Sequence, residues 1–289
     1  MKDLLVRKEK GIRLQTNRGF TLVELLVALV ISGIVMAGTY LVFRSQQRSY
    51  RVQEDIAATQ QNLRAAMDVM EREIRMAGYD PQRTGGFSIE DIRSKDLSDN
   101  PDVNGYPSLK FTLDRDNNGI RGKPDEPYDE ERTDENVYFC IYDSGGDGDT
   151  DLGLRWGAGS RQMLGENIDA LGFAYAFDND ADGELDPSPG GNVIWAMDSD
   201  NDNQLDRNLD TDDTGVIDIN DNPGGSAISP VPRSSIRAVK IWLLARTDRE
   251  DPGHRDTSTY VVANQRITPN DGFRRRIMVS TIMCRNLGL

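Results

Sequence analysis

Two hydrophobic patterns share the N-terminal part of the chain. From Leu25 to Phe43 run 19 uncharged residues, mostly Leu, Val, Ile and Ala. As a helix rising about 1.5 Å per residue they span roughly 28 Å, close to the hydrocarbon thickness of a bilayer. Apolar residues then recur at Val52, Ile56, Leu63, Met67, Met70, Ile74 and Ala77, one stripe at helical spacing with Arg, Gln, Glu and Asp between. Neither Pro nor Gly interrupts residues 44–77, and Gly78 followed by Tyr79-Asp80-Pro81 is a stop signal. The pattern predicts one helix over residues 20–77, transmembrane over 20–43 and amphipathic after it.

Beyond Gly78 the period falls to that of strands. β-Branched or aromatic runs bounded by Gly, Pro, Asn and Asp occur at Ser108–Leu113, Val137–Tyr142, Gly153–Trp156, Ile168–Phe177, Val193–Met197, Ile236–Arg246, Thr259–Val262 and Ile277–Met283. Arg237-Ala238-Val239-Lys240-Ile241-Trp242-Leu243 alternates polar and apolar, as a half-buried antiparallel strand does. No long helical pattern follows Gly78. The expected class is α+β: a long N-terminal helix whose stripe packs on a mainly antiparallel β-sheet head over residues 78–289.

The flank of the apolar run adds a direction. Lys2, Arg7, Lys8, Lys10, Arg13 and Arg18 against Asp3 and Glu9 give a leader of net +4, residues 1–19. Such a leader stays cytoplasmic, and the head is exported. An ordinary secretory signal carries its apolar region before the cleavage site and loses it. Here the small residue Gly19 precedes the apolar run, so a cut there leaves the helix on the mature chain. Only Glu24 puts a charge into the apolar stretch. An ionisable group at membrane depth costs at least about 2.5 kcal/mol and reads as functional.

The string Gly19-Phe20-Thr21-Leu22-Val23-Glu24 resembles a type IV prepilin (class III) signal. The resemblance implies that prepilin peptidase cuts between Gly19 and Phe20 and N-methylates Phe20. It also implies that Glu24 pairs with the Phe20 ammonium of a neighbouring subunit, two charges being cheaper together in hydrocarbon than apart. Arg72–Tyr79, Arg237–Arg246 and Ser280–Leu289 resemble the PilW-like minor pilins, and GspJ-type pseudopilins of type II secretion share the plan. A type IV pilin-like fold follows from the resemblance. It further implies an inner-membrane subunit with a periplasmic head before assembly, then a place in a surface pilus used in twitching motility or adhesion. The expected partners are other pilins, through the helix, and the peptidase.

Charge changes the picture of the head. Residues 178–222 hold 13 Asp and Glu184 against one basic residue, Arg207, in a chain of net −14. Such density repels itself unless disordered or neutralised by cations. Asp210, Asp212, Thr214, Asp218 and Asp221 fall at positions 1, 3, 5, 9 and 12 of an EF-type loop, with Gly215 at the sharp turn. Asp114, Asp116, Asn118 and Asp125 repeat the theme within an insertion over 114–126. So do Asp178, Asp180, Asp182 and Asp186, although Pro189 stands at position 12. Asp198, Asp200, Asp202 and Asp206 form a third partial copy, and Asp143, Asp147, Asp149 and Asp151 an acidic turn without clear register. No apolar helices flank these loops, which look like the helix-free calcium loops of dockerin or thrombospondin type-3 repeats. Structural Ca²⁺ is the expected cofactor, because it wants six to eight hard oxygens in flexible geometry. The alternative is Asp-Gly hairpin turns on an acidic surface.

Cys140 and Cys284 lie in predicted strands of an exported head, where a disulfide is favoured and two buried free thiols are the alternative. Catalysis finds no support: the single histidine, His254, sits in a polar loop without nucleophile or phosphate motif. A pI near 4.6 disfavours nucleic acid. Arg274-Arg275-Arg276 reads as a strand start or an intersubunit salt-bridge patch. The expected function is a non-catalytic minor pilin, a priming or tip subunit. A type II secretion minor pseudopilin and a calcium-dependent surface adhesin are the alternatives.

Overall fold

The computed structural model describes residues 19–94, 106–119 and 135–287, apart from 145, 147 and 158. The leader before Gly19 and the expected ligand Asp125 lie outside the described residues. The chain divides into two units, one ending at Arg51 and one spanning Val52–Leu289. Helix α1, Leu22–Arg75, is 54 residues long and runs through both. In the first unit every side chain from Phe20 to Phe43 is exposed. Among the described residues α1 alone is long and apolar enough to cross a membrane.

In the second unit the α1 stripe is buried. Leu63, Ala66, Met67, Met70 and Ile74 are covered, while Val52 and Ile56 remain half exposed. A lone amphipathic helix is marginal in water, so its stability comes from this packing. At about 1.5–3 kcal/mol for each large side chain buried, Leu63, Met67, Met70 and Ile74 contribute up to roughly 6–12 kcal/mol. The helix ends where Gly78 turns left-handed at φ +74°. Its N–H leaves the helix to reach the Thr112 carbonyl at 2.9 Å. A Cβ at residue 78 would lie 2.4 Å from Leu287 Cδ2, so two independent constraints ask for glycine.

Two antiparallel sheets form the head. The first is a meander of β1 (Ile89–Asp91), β2 (Leu109–Thr112), β3 (Asn136–Tyr142), β4 (Asp151–Trp156) and β5 (Gln162–Gly165), in that order. The second is built from β6 (Ile168–Phe177), β7 (Ala196–Met197), β8 (Gln204–Asn208), β9 (Ser226–Pro232), β10 (Ile236–Arg246) and β13 (Arg275–Met283). Its order is β13-β10-β6-β7-β8-β9. β11 (Tyr260–Val262) and β12 (Gln265–Ile267) make a separate hairpin. The main core joins the α1 stripe to Phe111 and Phe139 of the first sheet and Phe173, Val239 and Ile241 of the second.

Two expectations are corrected. β10 is not half-buried: a second cluster of Ala174, Trp195, Trp242, Leu244 and Val262 covers its other face. Lys240, the polar position facing that way, lies with Nζ 4.9 Å from the Trp195 ring centre and 5.5 Å from that of Trp242. This cation–π contact lets a charged position sit in a covered face. The disulfide is also absent, since Cys140 and Cys284 are both buried free thiols. Cys140 packs with Tyr138 and Tyr142 on β3, whereas Cys284 belongs to the main core with its thiol 3.7 Å from the Ile74 carbonyl. They occupy different clusters, so no bridge joins them.

Candidate functional site

At the start of α1, Thr21 and Glu24 satisfy each other. The Thr21 N–H and Oγ1 donate to Glu24 Oε2 at 2.8 and 2.9 Å, and the Glu24 N–H donates back to Thr21 Oγ1 at 3.2 Å. This reciprocal arrangement is a capping box, which answers N–H groups that a helix start leaves unpaired. Gly19 and Phe20 precede it in exposed chain outside the helix, Phe20 at 89% exposure. The expected cleavage bond is therefore open to an enzyme, and Glu24 already has local donors within its own chain.

The acidic loops of the head share one geometric rule. In each, the first aspartate accepts a hydrogen bond from the N–H five residues on. Asp114 Oδ2 takes Gly119 at 3.0 Å, Asp178 Oδ2 takes Gly183 at 3.1 Å, Asp198 Oδ2 takes Asn203 at 2.8 Å and Asp210 Oδ2 takes Gly215 at 2.7 Å. All four donors have positive φ, between +66° and +90°, which is why glycine or asparagine stands there. The turns draw carboxylates together. Asp114, Asp116 and Glu135 form one group, Asp178, Asp180 and Asp186 a second, Asp198, Asp200 and Asp202 a third, and Asp210, Asp212 and Asp221 a fourth. Within each group one oxygen per residue lies within 4.8 Å of the others.

Several expected ligands stand outside the four groups. Asp182 Oδ1 accepts from Glu184 N–H at 2.8 Å, and Asp206 accepts from the Ser199 N–H and hydroxyl at 2.8 and 2.6 Å. Asp218 Oδ1 takes the Asn220 N–H at 2.7 Å. Asn118 donates to Asp116 Oδ2 at 2.6 Å, and the Thr214 hydroxyl donates to Asp212 Oδ1 at 3.0 Å, so both stand beside their groups. Of the Asp143 turn, Asp147 lies outside the described residues; Asp149 pairs with Arg246, and Asp151 takes the Asn167 N–H at 3.0 Å. Glu135, absent from the spacing argument, joins the first group from the residue before β3. Its signal was an acid abutting a strand start, which no loop register contains.

Charge within the groups is uneven. Burial raises the carboxyl of Asp186 above its ordinary range, and Asp180, Asp178 and Asp182 push it the same way. Burial likewise raises Asp198, against N–H donors from Asn203 and Asn201. In Asp221 burial acts upward too, but N–H donors from Asp218, Thr211 and Asp212 hold it below the usual range. Arg266 braces that loop through its guanidinium, 2.9 Å from the Asp218 carbonyl and 3.1 Å from that of Asp221. Four clustered sets of hard oxygen donors suit a divalent cation better than a positioned acid–base pair, which needs two carboxylates of divergent character.

Comparison with known proteins agrees with the N-terminal geometry. Residues 14–40 match the prokaryotic N-terminal methylation motif, which marks a substrate of the processing peptidase and is shared by type IV pilin-like proteins. Residues 150–286 match the family described as type IV pilus-assembly protein W. The chain is thus a type IV pilin-like protein that carries a PilW-type domain. Among solved structures, a type IV-like pilin from Thermus thermophilus is similar at 16% identity and a TM-score of 0.39. That match covers 79% of this chain and 97% of the other. A search of curated proteins finds no match.

Proposed function

We propose that the chain is a minor pilin: a non-catalytic subunit that primes or tips a type IV pilus. The observation that carries this reading is the division of labour along α1. A methylation motif opens a fully exposed apolar segment, and the same helix is then buried as the spine of a PilW-type head. Exposed apolar surface of that extent needs lipid or neighbouring helices to cover it. In the reading, the leader is removed between Gly19 and Phe20, Phe20 is methylated, and Glu24 neutralises the new ammonium of an adjacent subunit. Thr21 holds the carboxylate until that partner arrives. The subunit waits in the inner membrane with its head in the periplasm, and the acidic loops bind structural calcium.

Mass spectrometry of the mature protein and quantitation in sheared filaments test the reading. N-methylphenylalanine at residue 20, loss of piliation on deletion and a small copy number per filament are the expected results. Abundance equal to the main subunit would overturn the minor role. Loss of protein secretion with piliation intact would reassign the chain to a secretion pseudopilus.

A further inference from the structure

The four acidic groups share a first-aspartate bond, but they differ in what the other oxygen of that aspartate does. Asp114 Oδ1 accepts from Asn118 N–H at 3.1 Å, Asp198 Oδ1 from Asn201 N–H at 2.7 Å and Asp210 Oδ1 from Thr214 N–H at 3.0 Å. In these three loops the backbone has closed on both oxygens. Asp178 is different: the residue is only 6% exposed, and its Oδ1 is buried with no hydrogen-bond partner. The nearby guanidinium does not serve that atom, for Arg237 Nε stands 4.0 Å from Oδ2 instead. A buried carboxylate oxygen left bare is costly, and a native fold keeps one only where something else binds it.

The surroundings say what that something is. Asp180 and Asp186 bring carboxylate oxygens to within 4.8 Å of the Asp178 group, so the missing partner must be a cation. Three converging carboxylates exceed what a single ammonium or water can balance, while a hard divalent ion takes six or more oxygens. Access exists as well. Asp180 is exposed, and the loop borders a cavity of about 550 Å³ shared with Arg237, Met283 and Arg285.

Building on the calcium reading above, we infer that the Asp178 loop is the primary cation site of the head. Its ion is held by Asp178 Oδ1 and the carboxylates of Asp180 and Asp186. The Asp198 and Asp210 loops fill after it, because there a loop N–H already holds the second oxygen of the first aspartate. Disturbing or sharing a hydrogen bond to a charged group weakens binding by about tenfold or more. The ranking runs against sequence spacing, which favours the loops with an acid at position 12 over the one with Pro189.

Calorimetric calcium titration of the full mature chain in detergent micelles tests it, using D178N, D180N, D198N and D210N. The wild type is expected to show one tightest ion per chain. D178N and D180N should each weaken that step at least tenfold, and D198N and D210N should change it less than twofold while losing weaker binding. D180N alters an exposed side chain and serves if D178N fails to fold by circular dichroism. Survival of the tightest step in D180N and in a folded D178N, or its loss in D210N, would overturn the assignment while leaving calcium binding intact. No heat and no rise in melting temperature at millimolar calcium would instead sink the calcium reading itself.

Discussion

Gly78→Ala tests how the helix is tied to the head. The residue has φ +74°, and an L-residue in that region costs about 1–2 kcal/mol. The new Cβ would sit 2.4 Å from Leu287 Cδ2 and 3.3 Å from the Asn286 carbonyl oxygen, so the Leu287 side chain must move and the turn beside it give slightly. Overpacking of that sort costs typically about 1–3 kcal/mol, giving roughly 2–5 kcal/mol in all. At about 2–4 °C per kcal/mol for a domain of this size, the melting temperature should fall by roughly 5–15 °C. Tryptophan fluorescence during thermal unfolding is the assay. All three tryptophans (Trp156, Trp195 and Trp242) lie in the unit from Val52 onward, so the signal reports the head alone. The steric part depends on Leu287 and the backbone part does not. A double-mutant cycle with Leu287→Ala should therefore show coupling of about 1 kcal/mol or more, G78A costing less once the leucine is gone. Additivity of the two changes, or a G78A head as stable as wild type, would refute this account of the helix stop.

Three further outcomes follow from the geometry. Arg275 is 5% exposed by side chain and ion-paired with Asp169 at 2.5 Å and Asp271 at 2.6 Å. R275Q should cost about 3–5 kcal/mol by leaving Asp271 without its guanidinium and Asp169 with only that of Arg246, measured by chemical unfolding, and a cost below about 1 kcal/mol would contradict it. Asp213 has its carboxyl held low by the Ser188 hydroxyl and Asn192 amide, with further help from the Gly190 N–H. Its folded value lies below its unfolded one, so its contribution is complete above the unfolded value and lost as pH falls through the folded one. Melting temperature followed in chelator from pH 6 to pH 3 should fall less steeply in D213N, and an unchanged slope would count against the assignment. Burial pushes the Cys284 thiol up to about 12. Both thiols should therefore react with Ellman's reagent only after denaturation, and reductant should leave the melting temperature unchanged. A reductant-induced drop would restore the disulfide.

Sequence reading succeeded where burial itself imposes the pattern. The helix expected over residues 20–77 is observed as Leu22–Arg75, and the runs Ile168–Phe177 and Ile236–Arg246 match β6 and β10 end for end. Those two strands are central and apolar enough to announce themselves. β5, β8 and β9 gave no signal, since Gln162–Gly165, Gln204–Asn208 and the Pro-bearing Ser226–Pro232 become strands through their partners rather than their own composition. Prolines in β9 suit its position at the sheet edge. In the acidic loops the first and third residues of each spacing fall in one carboxylate group. At later positions Asp182, Asp206 and Asp218 accept local N–H donors and stand outside those groups, while Glu135 enters the first group from beyond any loop register.

The join between α1 and the segment from β13 onward also orders events in time. Ser280 donates to Glu71, the Cys284 thiol to the Ile74 carbonyl, and the Asn286 side chain to the Arg75 carbonyl, across separations of 209 to 211 residues. The stretch of α1 around Glu71–Arg75 thus gains these partners only after more than 200 further residues have been made, and so distant a closure is intrinsically slow. A chain cut before β13 would keep its apolar segment and the earlier sheet contacts of α1, yet leave the places of Ile282 and Cys284 in the main core unfilled. Sealing of the head therefore comes late relative to synthesis of the apolar helix.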